Sequence, residues 1–329
     1  MKALINYLRV DEWLNSKVTM TVAVAAYFIC VNQRDVAAAS VELLVYFIFL
    51  CMFLAISYVA NDFSDIEIDR KAGKKKVIAN MPKAAVWISL ILMGIIGVVP
   101  IMLYVENKIL GALLILITVF LGVAYSAPGI RFKERGFLGI LECSFAQRCM
   151  PVVLLWLFLD LNAKNIFLWT LWFLISFLDG LRYILIHQYI DQDNDRATGV
   201  HTYVSDTRPN IRRNIIRILS VEIGLCILLL IPLIRVHTWI VIIGILVTLI
   251  LEFCIYETLY VYAGKDWLVS FDSVPLEAFL NIILPVMLGI CMMKTNLLAG
   301  LFVVVIIICS YKLLKTKIDI SMVYIKSKL

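Results

Sequence analysis

The stretch "NDFSDIEID" (61–69) closes an apolar run with three aspartates spaced three and four residues apart. On a helix, Asp62, Asp65 and Asp69 fall within about 60° of one another. Carboxylates on one stripe repel unless a cation lies between them. Mg²⁺ is the natural candidate, since it takes oxygen ligands and keeps water and phosphate oxygens in its shell. Asn61 adds a neutral oxygen or an amide donor. Arg70, Lys71, Lys74, Lys75 and Lys76 follow at once, a set that binds pyrophosphate or simply holds a loop inside. The segment taken alone also reads as a solvated loop of mixed charge.

A second acidic helix end is written in "HQYIDQDNDRATGVHTYV" (187–204). Asp191 and Asp195 are four apart and His187 lies one turn earlier, so the three share a face. Asp193 points elsewhere, and Gly199 and Thr202 mark where the helix stops. Two such ends, each holding Mg²⁺, can clamp one diphosphate. Ionising a diphosphate from an allylic carbon needs the charge on the leaving oxygens neutralised, which metals and Lys or Arg supply. The apolar tail of the substrate then lies among the helices.

Between the motifs, "YSAPGIRFKERG" (125–136) turns at Pro128 and Gly129. Arg131, Lys133 and Arg135 alternate as in an extended segment, which would deliver cations to a phosphate or set topology. Arg148 lies mid-span with no obvious local partner apart from Glu142, and is a diphosphate candidate. Asp179 and Arg182, three apart in another span, can satisfy each other; alternatively Arg182 and His187 face the cavity below the metals. With three histidines, and eight scattered cysteines without a CxxC pair, the chain shows no zinc signature; the cysteines read as reduced thiols packed in helices.

These residues need helices to hold them. Of the 329 residues 62% are hydrophobic, and mean hydropathy is +0.94. That excess exceeds what a soluble core absorbs. Apolar runs of spanning length predict a polytopic all-α membrane bundle, one integral domain over 1–329. Candidate spans are 18–31, 41–60, 84–104, 109–125, 138–159, 166–188, 213–234, 238–256, 277–293 and 296–311, giving nine or ten crossings. Residues 1–17 read as a retained interfacial helix, and 312–329 as a basic C-terminal tail. With the N-terminus cytoplasmic, the inside segments 1–17, 61–83, 126–137, 189–212, 257–276 and the tail hold 22 of the 30 Lys and Arg residues, counting Arg213 with its loop. Outside turns hold Arg34, Lys108, Lys164, Arg235 and Lys294. This asymmetry follows the positive-inside rule and puts both acidic motifs on the cytoplasmic face. The net charge of +6 is therefore topology and does not point to nucleic acid. A transporter would place coupling carboxylates near the midplane, not on one face.

NDxxDxxxD after the second span, YSxP with a basic loop after the fourth, and DxxxDxxxGxxT after the sixth resemble the UbiA-type membrane prenyltransferases, in order and spacing from about Leu8 to Val204. The resemblance implies a helical bundle around a central cavity. It also implies Mg²⁺-dependent transfer of a prenyl group from a prenyl diphosphate to a lipophilic or aromatic acceptor within the bilayer. On that reading Asn61, Asp62, Asp65 and Asp69 form the first metal and diphosphate site, and Asp191 and Asp195 the second. Tyr125, Ser126, Arg131 and Lys133 lie beside the reacting carbon and the diphosphate, with Arg148 added. Arg182 and His187 fall in the cavity-facing part of the sixth span and, with Tyr183, read as acceptor or cavity residues from their position; they do not map onto an acceptor site of the family. A terpene cyclase of the same family is the alternative. The chain departs from the family pattern at YSAPG, where YSxPP is usual, and at Asn194, where a glycine often precedes the last aspartate.

Overall fold

The computed structural model describes residues 2–71, 73–74, 76–159, 165–262, 274–294 and 296–328. In chain order its main helices are α1 (Lys2–Tyr7), α2 (Thr19–Val31), α3 (Val36–Ser64), α4 (Ile66–Lys71), α5 (Lys83–Tyr104), α6 (Lys108–Ala124), α7 (Phe137–Phe158), α8 (Ile166–Thr198), α9 (Tyr203–Thr207), α10 (Ile211–Tyr256), α11 (Phe279–Met293), α12 (Ala299–Cys309) and α13 (Tyr311–Lys328). No strand occurs among the described residues. Lys75, Lys164 and most of the predicted inside segment 257–276 lie outside them.

Every predicted apolar run is helical. Six helices are long and apolar enough to cross a membrane, or seven when Ala299–Cys309 and Tyr311–Lys326, bent by 67°, are taken as one span. Lys108–Ala124 and Phe279–Met293 are shorter apolar helices. At 1.5 Å per residue the 46 residues of α10 measure about 70 Å, far beyond a hydrocarbon core of about 30 Å. His237 resolves the discrepancy. Its φ of −134° and ψ of 44° are not helical, and they divide α10 into legs matching the runs 213–234 and 238–256.

Helix ends follow from local chemistry. Asn107 caps α6 by accepting from Leu110 N at 3.0 Å, and Gly199 closes α8 in the left-handed region. A π turn (Phe145–Cys149) precedes Pro151, and another (Phe279–Ile283) precedes Pro285. A proline ring clashes with the carbonyl four residues back in a regular helix; the wider turn gives it room.

Cα packing separates the chain into two compact units: Met1–Trp13 with Glu42–Asn210, and Leu14–Val41 with Ile211–Leu329. In the first, α7 packs along α8, close enough for Gly180 to sit on Ser144. Tyr46 bonds to the Pro151 carbonyl and stands beside the stacked rings of Phe49 and Phe53. The outer face of α5 leaves Trp87, Ile88, Ile91, Ile95 and Val99 exposed, the pattern of a lipid-facing helix. In the second unit α11 packs on α2 and α12. Thr19 donates to Asn281 at 2.8 Å, Tyr27 to the Leu229 carbonyl at 2.8 Å, and Lys317 forms a buried ion pair with Glu277 at 3.1 Å.

Candidate functional site

The first acidic motif lies where α3 meets α4. Backbone bonds run on across the junction, from Asp65 N to Asn61 O (3.1 Å) and from Asp69 N to Asp65 O (2.8 Å), so the three aspartates keep helical spacing. Asp62 and Asp65 are buried, and each is held by two cations. Asp62 accepts from Arg9 Nη1 at 2.9 Å and Lys76 Nζ at 3.0 Å. Asp65 pairs with Lys133 and, at 3.5 Å, with Arg131. Asp69 is only part-buried, with Lys74 at 3.9 Å. Burial raises its carboxyl above the usual carboxylate range, and Lys76 and Lys74 pull it back only in part. Burial likewise lowers the Lys133 ammonium, against the pull of Asp65.

Arg9 was invisible to motif reasoning. It sits at a break between Lys2–Tyr7 and Val10–Trp13 with φ +50°, and the break aims its guanidinium at Asp62 and Glu12. Its ring contact with Tyr58, 4.9 Å to the centroid, fixes it further. Burial opposes its charge, yet Glu12 and Asp62 together raise its pKa above the ordinary arginine value.

The second motif ends α8. His187 Nδ1 is 3.1 Å from Asp191, and Asp195 accepts from Thr202 Oγ1 at 3.2 Å. Thr202 also caps α9 in a reciprocal pair with Ser205, which ties the chain after Gly199 back to the carboxylate. Asp193 faces away, almost fully exposed beside Arg196. The two motifs share basic residues: the charges of Lys74 and Arg9 act on Asp191, and that of Lys74 on Asp195.

The connecting loop corrects one expectation. Arg131, Lys133 and Arg135 do not alternate along an extended strand. Phe132–Glu134 is a 3₁₀ turn, entered through Arg131 at φ +40°. The turn sends Lys133 and Arg131 to Asp65, whereas Arg135 folds back on the Ile130 carbonyl (2.6 Å) and the Phe132 ring. A bond from Lys133 N to Tyr125 O (3.1 Å) closes the loop, and Ser126 bonds to Asn61. Tyr125 feels the charge of Asp195, so this loop reaches electrostatically to the second motif as well as bonding to the first. Gly129 has φ +86°, a conformation closed to the second proline of YSxPP.

Gly139 explains how the turn is held in place. A Cβ there would strike the Phe132 carbonyl and come 3.1 Å from Lys133 Cα. Gly139→Ala is expected to displace the 3₁₀ turn and to weaken diphosphate binding about tenfold or more, measured by titration with inorganic pyrophosphate. Unchanged affinity would show that the turn does not position Lys133.

Beneath the motifs lies a buried charge cluster. Asp179 pairs with Arg182 at 2.9 Å and with Arg148 at 3.1 Å, all three buried. Arg148 thus finds its partner on α8 rather than in Glu142, and its guanidinium covers the Tyr183 ring at 5.1 Å. Glu142 is buried, with neither oxygen hydrogen-bonded among the described residues.

Residues 18–283 match the model of the UbiA prenyltransferase family. The chain belongs to that family. With its apolar helices, it is an integral membrane protein. The fold is also that of a UbiA homolog from Archaeoglobus fulgidus bound to DMAPP and Mg²⁺: TM-score 0.50, 14% identity, covering 97% of this chain and 99% of that one. The structure of such a homolog from Archaeoglobus fulgidus bound to GPP and Mg²⁺ is similar to the same degree, at 15% identity and the same coverage. No curated protein matches the chain.

The donor set fits Mg²⁺. Asn61, Asp62, Asp65, Asp69, Asp191 and Asp195 offer only oxygens, spread over two helix ends rather than converging in one three-carboxylate sphere. An ion that takes one or two carboxylates and fills its shell with water and phosphate oxygens needs no closer set.

Proposed function

We propose that the protein transfers a prenyl group from a prenyl diphosphate to a lipophilic or aromatic acceptor, with Mg²⁺ and with release of pyrophosphate. The observation that carries this reading is the pair of acidic helix ends in one unit, joined by shared cations: Arg9 and Lys74 act on both, and the Tyr125 loop spans them. Asp62, Asp65, Asp191 and Asp195 would hold Mg²⁺, which would supply charge neutralisation on the diphosphate oxygens. Lys133, Arg131 and Lys76, now paired with carboxylates, turn to the same oxygens.

The allylic C–O bond then breaks with its electron pair leaving on pyrophosphate. Tyr125 faces the resulting cation; the Tyr183 face already carries Arg148. The acceptor's electron pair forms the new bond, and its proton passes to a base. Glu142, a buried carboxyl near Tyr125 with no hydrogen-bond partner among the described residues, suits that role. His187, half exposed beside Asp191, is the second candidate. The charge asymmetry of the loops supports a cytoplasmic N-terminus and active site.

The test is pyrophosphate release from geranyl, farnesyl and geranylgeranyl diphosphates by purified protein, with Mg²⁺ or EDTA. Release that needs Mg²⁺ and is lost in Asp62→Ala and Asp191→Ala is expected. Mass spectrometry of the organic product separates transfer from cyclisation. Absence of both release and Mg²⁺-dependent pyrophosphate binding would overturn the proposal.

A further inference from the structure

The second unit contains a cluster that this chemistry leaves unused. Cys30 near the end of α2, His237 at the kink of α10 and Cys291 in α11 each place a ligand atom within 4.8 Å of the other two. Among the described residues no other three His, Cys, Asp or Glu side chains converge so closely. Both cysteines are free thiols, and their sulfurs lie within 4.8 Å of each other. His237 Nδ1 is buried and has no hydrogen-bond partner among the described residues. A ring nitrogen in that state is unfavourable unless something binds it. His237 is also the residue whose backbone leaves the helical region, at the kink of α10.

We propose that Cys30, His237 and Cys291 bind one thiophilic d¹⁰ cation, Zn²⁺ or Cu⁺. Two sulfurs and an imidazole, without a carboxylate, select soft or borderline ions and disfavour Mg²⁺ and Ca²⁺. Three protein ligands complete a zinc sphere with one further position open. The ion displaces two thiol protons, so Zn²⁺ with two thiolates is neutral, as suits a group among apolar helices. Lys294 is the charged neighbour on all three; its ammonium favours thiolate and disfavours a second cation. Bound there, the ion would clip α2 and α11 to the kink of α10, independently of the Mg²⁺ chemistry in the other unit.

The experiment uses the full chain in detergent, isolated with reductant, stripped with chelator and titrated with Zn²⁺, Cu⁺ and, as an optical probe, Co²⁺. One equivalent should bind. Co²⁺ should give a sulfur-to-metal charge-transfer band that Zn²⁺ or Cu⁺ abolishes, and the ion that does so at lower concentration is the cognate one. Bound metal should protect Cys30 and Cys291 from alkylation and leave Cys226 and Cys254 unchanged, a readout on the wild-type chain that needs no variant to fold. Cys30→Ser and His237→Gln should each weaken binding at least tenfold. Three results would overturn the proposal: no stoichiometric binding at micromolar metal, equal binding in both variants, or a Cys30–Cys291 disulfide in protein whose thiols were blocked at lysis.

Discussion

Asp65→Asn should lower pyrophosphate release by about 10²–10³-fold, the scale for losing one preorganised electrostatic group at a reacting centre. The reason lies in what this carboxylate holds. Lys133 and Arg131 both converge on it, on a turn built by the 3₁₀ segment and braced by Gly139. Without the negative charge, one ligand for the ion that neutralises the leaving group is lost. Two cations also lose the anchor that aims them. Asp69→Asn should cost much less, about tenfold, because Asp69 is more exposed and its nearest cation among the described residues, Lys74, stands 3.9 Å away. Steady-state kinetics over a Mg²⁺ series decide between them. An Asp69 variant as damaged as the Asp65 variant would mean that all three aspartates of the stripe bind metal alike and that the Lys133 turn adds nothing.

The ranking of those aspartates was not legible in the sequence, although the aspartates were. Spacing of three and four on a helix put Asp62, Asp65 and Asp69 on one stripe, and Asp191 and Asp195 on another, because a helix fixes neighbours four residues away. Apolar runs gave the helices for the same local reason. What escaped was set by contacts between distant residues. Arg9 reaches Asp62 only because the chain breaks at a left-handed residue, and nothing in "LRVDEW" announces that. Arg148 pairs with Asp179 across a helix–helix contact, with a π turn shifting its direction. Arg131, Lys133 and Arg135 alternate in sequence as a strand would, but Gly129 and Gly136, both at positive φ, fold them into a turn. Cys30, His237 and Cys291 carry no spacing signal, since each comes from a different helix.

Asp179→Asn is the substitution expected to cost most in stability. Asp179 is fully buried, and its carboxylate faces two buried guanidiniums, Arg182 at 2.9 Å and Arg148 at 3.1 Å. Removing one member of a buried ion pair leaves an uncompensated charge in low dielectric, at about 3–5 kcal/mol. Here a single change removes an ion-pair partner from two guanidiniums. Thermal unfolding in detergent should therefore fall sharply, or the monodisperse peak on size exclusion should disappear. Arg182→Met should be milder, because Asp179 keeps Arg148. Adding Arg148→Met to Asp179→Asn should recover part of the loss, because the second change removes a buried cation that has lost its Asp179 partner; the two effects are then far from additive. If Asp179→Asn alone shifted stability by less than about 1 kcal/mol, water or lipid headgroups would have to reach these guanidiniums. The Asp179 carboxylate also sets how Arg148 covers the Tyr183 ring. Loss of Asp179 should then change the products made by whatever protein survives, as well as its melting temperature.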